Sequence, residues 1–115
     1  MTSFDYQQVL ERVGGDEELL AEIVEIFLQS APAVMGQVRQ ALDAGRHEEL
    51  VRAAHTLKGS AGNFAAAGVV QAARDLEMAA RAAHADRYEE LARRLQGELA
   101  ALMDDLRSLK TEVAG

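Results

Sequence analysis

From Leu20 to Ala41 the apolar residues Leu20, Val24, Phe27, Ala31, Val34, Val38 and Ala41 recur in alternate steps of four and three. That period is helical. It runs straight through Pro32, whose ring clashes with the preceding turn and which lacks an N–H, whereas a loop at Pro32 would have reset the phase. The pattern predicts one long helix, about 16 to 44, kinked near Leu28 to Pro32. A second stripe, Tyr88, Leu91, Leu95, Leu99, Leu102, Leu106, Leu109 and Val113, marks another long helix near the carboxyl end.

Two shorter helices fit between them. Gly45 closes the first long helix in the usual C-terminal position. A helix from about Arg46 to Asn63 follows, with Leu50, Ala54, Leu57 and Ala61 as its core stripe. The segment NFAAAG turns the chain into a further helix with Val69, Ala73, Leu76 and Ala80 inside. Asp86 and Glu89 have capping-box spacing before the last helix. At the amino end, Gly14-Gly15 separates a short piece carrying Phe4, Val9, Leu10 and Val13, and Asp16 is placed to cap the long helix, with Glu17 and Glu18 in its first turn. Short connections force antiparallel neighbours. The expected architecture is therefore all-α: an antiparallel up-down four-helix bundle with a short N-terminal helix over one end, residues 1–115 forming a single domain.

Charge and composition narrow the function. The chain carries a formal net charge of −7, which argues against a nucleic-acid or anionic-membrane surface, since phosphate binding draws on clustered Lys and Arg. Residues 1–30 hold most of this excess; residues 46–58, with Arg46, Arg52 and Lys58 against Glu48 and Glu49, are slightly basic. Zero cysteines exclude disulfides, thiol catalysis and Cys-type zinc sites. No basic segment leads into an apolar run at the amino end, and no apolar stretch approaches the roughly 20 residues that span a bilayer. A cytoplasmic, monomeric, soluble domain is expected, with no direct membrane contact.

The slightly basic region contains AAHTLKGSAGNF, Ala53 to Phe64. On a helical wheel His55 falls roughly 130° from the centre of the core stripe, with Gly59 and Gly62 on its side. Each glycine costs a helix roughly 1 kcal/mol against alanine, and clearance around the imidazole explains both. Val51, Arg52, Ser60, Gly62, Asn63 and Ala66 are the candidate docking residues for a large partner around the histidine.

A neutral imidazole is a competent nucleophile near pH 7. Toward phosphorus its free ring nitrogen can take a phosphoryl group and pass it on, Lys58 one turn away can neutralise phosphoryl oxygens, and Gly59 removes a side chain that would block in-line approach. His47 and His84 have neither paired glycines nor an adjacent lysine and read as surface residues. The chain has no GxxxxGK[ST], no GxGxxG and no kinase signature, so ATP binding by those devices is not expected. No HExxH or ExxH pair suggests a metal centre, and no cofactor of the chain's own is expected.

AAHTLKGSAGNF resembles the signature of the histidine-containing phosphotransfer (HPt) domain of bacterial multistep phosphorelays. The likeness extends from GGDEELLAEIVEIFLQSAP through LDAG to ARDLE, and is nearest to the C-terminal modules of hybrid sensor kinases. It implies that His55 is phosphorylated, that Lys58 helps hold the phosphoryl group and that Gly59 gives the partner access. It also implies response-regulator receiver domains and a hybrid sensor histidine kinase as partners, with Mg²⁺ held by the receiver. Such a domain is a phosphocarrier, not an enzyme. Family members often have Gly where this chain has Ala65, which leaves the turn after Phe64 as the point of departure.

Overall fold

The computed structural model describes residues 3–114, with the side chains of 113 and 114 outside the description. Five α-helices and a 3₁₀ turn follow in order: α1 Tyr6–Arg12, α2 Glu17–Ala44, α3 His47–Gly62, α4 Ala67–Arg81, the turn Ala85–Arg87 and α5 Tyr88–Ala114. Each long helix packs against its chain neighbour, and α5 closes the ring on α2. This is the all-α four-helix bundle that the stripes predict.

The helix ends follow from local chemistry. The Asp16 carboxylate accepts from the Leu19 N–H at 3.1 Å, satisfying one of the orphan donors of α2. Gly45 ends α2 in the left-handed region at φ 67°, where a Cβ would be strained. The turn between α3 and α4 needs the same geometry and takes it with Ala65, at φ 51°. The departure from glycine at this position therefore leaves the turn intact and places strain in it.

Unequal helix lengths explain α1. At 1.5 Å per residue, α2 and α5 reach well beyond the α3–α4 hairpin, and the amino-terminal segment covers the overhang with buried Phe4 and Val9. The Asp5 N–H donates to the Phe64 carbonyl. The Ser3 hydroxyl donates to Asp105 at 2.7 Å. Phe64 packs edge-on against Phe27, with ring centroids 5.1 Å apart.

Three expectations are corrected. In α2 the buried stripe runs Phe27, Ala31, Met35, Val38, so Met35 takes the place expected for Val34, which is half-buried. A repeat of 3.5 drifts against a helix of 3.6 residues per turn, and one extra step of four recentres it. Asp86 and Glu89 form no capping box: Asp86 lies in the 3₁₀ turn, while the Glu89 carboxylate pairs with Arg39 and Arg93. Finally, α2 is long and apolar enough to cross a membrane by length and composition, with an 18-residue window of mean hydropathy 1.4. In the bundle its stripe is used against α3 and α5. Along α5 the expected stripe is buried from Tyr88 to Leu109; Val113 lies outside the described side chains.

Candidate functional site

Helix α3 carries its core stripe, Leu50, Ala53, Ala54, Leu57 and Ala61, inward. That fixes the opposite azimuth for His55, whose side chain is 62% exposed. A Cβ built on Gly59 or Gly62 would meet nothing within 4 Å. Neither glycine is demanded by packing within the chain, and the space over the imidazole is open.

Beneath the histidine lies a residue that the motif does not contain. Glu77 of α4 is the one buried charged side chain among the described residues, and three groups converge on it. His55 Nδ1 is 3.1 Å from Oε2, Arg81 donates to the same oxygen from Nη2 at 2.8 Å and from Nε at 3.2 Å, and Lys58 Nζ is 2.9 Å from Oε1. Burial alone would raise the Glu77 pKa. The Lys58 ammonium close to Oε1, together with the hydrogen bonds from Arg81 and His55, outweighs it and holds the carboxyl at about 2.

An ionised carboxylate can only accept. Nδ1 of His55 must therefore carry the proton, and Nε2 is left as the ring nitrogen with a free lone pair whenever the imidazole is neutral. Nε2 is the ring nitrogen that does not meet Glu77, on a side chain that is mostly exposed. The arrangement orients the ring, selects its tautomer and sets a negative charge against any positive charge that the ring acquires.

The expected site residues do not all lie on one face. His55, Lys58 and Gly59 come together as the motif implies, but Lys58 rests on Glu77. Ser60 and Asn63 face α2, where with Arg12, Ile23, Ile26, Phe27, Ser30 and Phe64 they line a recess of about 310 Å³. Val51 faces the other way, in a shallow depression with His47, Glu48, Ala80, Arg81 and Ala83, while Arg52 stands between the two sides, lining both that depression and a recess toward α2 with Gln37 and Gln40. Gly62 ends α3, and its carbonyl accepts from the Arg12 guanidinium, which supplies a positive group at a helix C-terminus. Ala66 is fully buried and offers no surface to a partner. It packs at the start of α4, which corrects its expected docking role.

Two further features were absent from the sequence reading. His47 is exposed, as expected, and is also tied to the core through the Tyr88 hydroxyl, 2.7 Å from Nδ1. Ile26 is a large apolar side chain left 63% exposed beside the recess. Its signal is a second stripe on α2, Leu19, Ile23 and Ile26, one residue ahead of the core stripe.

No curated protein and no solved structure matches the chain significantly. A family model, described as Hpt domain, matches residues 22–108. The match covers α3 and α4 entirely, including His55, Lys58, Gly59, Glu77 and Arg81. Hpt domains are phosphocarriers that act in phosphorelays with response-regulator receiver domains. The chain belongs to the Hpt domain family and has the histidine phosphotransfer role of that family.

Proposed function

We propose that His55 accepts a phosphoryl group on Nε2 from the aspartyl phosphate of one receiver domain and donates it to the aspartate of another. The observation that carries this reading is the hydrogen bond of Nδ1 to a buried carboxylate, which frees Nε2 under an open strip of glycine.

In the accepting step the Nε2 lone pair attacks phosphorus and a P–N bond forms. The P–O bond to the receiver aspartate breaks, and its electron pair leaves on the carboxylate. The ring gains positive charge as Nε2 becomes substituted, and Glu77 balances that charge through Nδ1–H. Lys58, as a compact and mobile ammonium, is close enough in sequence and space to share the incoming phosphoryl oxygens. Donation is the reverse, with the second receiver's carboxylate as nucleophile. Mg²⁺ belongs to the receiver in this scheme, and the chain contributes orientation and charge.

The docking face is centred on Gly59. One flank is Val51; the other is Ser60, Asn63 and, from α2, Ile23 and Ile26, with Arg52 between them. Only 28% of the most apolar window of α2 is buried, so this helix has apolar surface beyond what the bundle uses. A mixed apolar and polar patch of this kind suits transient association. The chain works as a monomer in the cytoplasm, between a hybrid sensor kinase and a downstream receiver.

The test is transfer of radiolabelled phosphate from a phosphorylated receiver with Mg²⁺. Label that is lost in acid and stable in alkali is expected on this chain. Label stable in acid, or labelling by ATP without a receiver, would contradict the reading.

A further inference from the structure

Glu77 holds two cations, and their geometries differ. Arg81 reaches Oε2 with two directed hydrogen bonds, at 2.8 and 3.2 Å, on the same oxygen that receives His55 Nδ1–H. Lys58 lies 2.9 Å from Oε1, yet that oxygen is shut off from solvent and makes no well-aligned hydrogen bond. The contact to Lys58 is a close charge pair without the directionality of the Arg81 fork. The lysine is also the cation that a phosphoryl group on Nε2 would draw away, because it sits one turn from His55 on the same helix.

If Lys58 turned outward with nothing else on Glu77, a buried carboxylate would lose its compensating charge. That loss raises the carboxyl pKa and weakens its grip on Nδ1. A second cation fixed to the shared oxygen prevents this. We propose that Arg81 is a positioning residue: it anchors the Glu77 carboxylate against His55 Nδ1, so that Lys58 is free to move to the phosphoryl group. An exposed ion pair four residues apart on a helix ordinarily contributes little. Here one partner is buried and the same oxygen holds the reactive ring.

The division of labour makes the two cations distinguishable. The readout is the ring ¹⁵N spectrum of His55 in the unphosphorylated protein, which reports the Nδ1–H and Nε2–H tautomers directly. Lys58→Ala is expected to keep the Nδ1–H form dominant. Arg81→Ala is expected to shift the ring to a mixture in which the Nε2–H form rises several-fold, with an unchanged helical circular-dichroism spectrum because the side chain is mostly exposed. Arg81→Lys is expected to recover most of the Nδ1–H form. In receiver-dependent labelling, Arg81→Ala should slow acceptance about tenfold, the scale on which misorientation of a reacting group acts. A wild-type tautomer ratio in Arg81→Ala, or equal loss in Arg81→Lys and Arg81→Ala, would overturn the proposal. The inference rests on the proposed role of His55, and the two fail differently: wild-type protein that takes no label sinks that role, while the ring spectrum alone decides the anchor.

Discussion

Two histidines stand two turns apart on α3, and each uses Nδ1 in a hydrogen bond to another helix of the bundle. His47 meets the Tyr88 hydroxyl at 2.7 Å, and His55 meets the Glu77 carboxylate at 3.1 Å. The partner's chemistry separates them. A phenol can donate or accept, so it leaves the tautomer of His47 open and offers no charge. The carboxylate accepts only, fixes the tautomer and would oppose the positive charge of a ring phosphorylated as proposed. His55 also has open space over its ring where Gly59 lies and a lysine in reach. On the proposed reading, what distinguishes the acceptor from a merely hydrogen-bonded, partly exposed histidine is an ionised partner held in place below it and clearance above.

The largest effect that tests this comparison is loss of function at one histidine alone. His55→Gln is expected to abolish phosphoryl acceptance with the helical content unchanged, whereas His47→Gln should accept at close to the wild-type rate. Labelling of both variants beside wild type checks this, and loss of acceptance in His47→Gln would break the comparison.

Next comes the carboxylate. Glu77→Gln keeps the shape but removes the fixed acceptor and its charge, and acceptance should fall roughly 10- to 100-fold in single-turnover transfer. The same variant has a pH signature. The Glu77 pKa is depressed in the folded protein to about 2 from a usual 4.5. Its ionised pairs therefore add stability that is present in full above pH 4.5 and is lost as pH falls from 4.5 toward 2. Urea midpoints measured across that window should drop in wild type, and the drop should be smaller in Glu77→Gln. Equal acid sensitivity in the two proteins would count against the ionised carboxylate.

A smaller effect sharpens the role of open space. A Cβ at Gly59 meets nothing within 4 Å and Gly59→Gln removes a poor helix former, so thermal unfolding should show a gain of up to about 1 kcal/mol. Transfer from a receiver should nevertheless slow, as the new side chain occupies the strip over the ring. A stabilised variant with undiminished transfer would show that the glycine is not there for the partner. Smallest is the turn after Phe64: Ala65→Gly relieves a left-handed alanine and should add about 1 kcal/mol or less in denaturant titration, leaving transfer untouched.

Much of this was legible in the sequence, for definite physical reasons. Apolar residues at helical period must share a side, so the bundle follows from its stripes, and Asp16 and Gly45 announce the ends of α2 through a side-chain acceptor and a missing Cβ. His55 was placed outside the core by the same wheel. What escaped was chemistry that crosses between helices. Glu77 belongs to α4 and reaches His55 only because α3 and α4 pack side by side, and no spacing within either helix encodes that contact. A trace of it does exist: Glu77 continues the inner stripe of α4 between Ala73 and Ala80, and a charged residue on an apolar stripe needs a partner. The one-residue shift from Val34 to Met35 and the failed capping box at Asp86 were lost for a different reason. Periodicity locates a face, while the exact residue at its centre depends on how the helix drifts and on which partner, here Arg39 for Glu89, competes for a side chain.

The central claim is that Glu77 fixes the ring of His55 so that Nε2 receives the phosphoryl group. Long-range ¹H–¹⁵N and ³¹P spectra of the phosphorylated protein identify the substituted nitrogen. A P–N bond at Nε2 of His55, with the proton retained on Nδ1, is the expected result. Phosphorus on Nδ1, or on any other residue, would contradict the account.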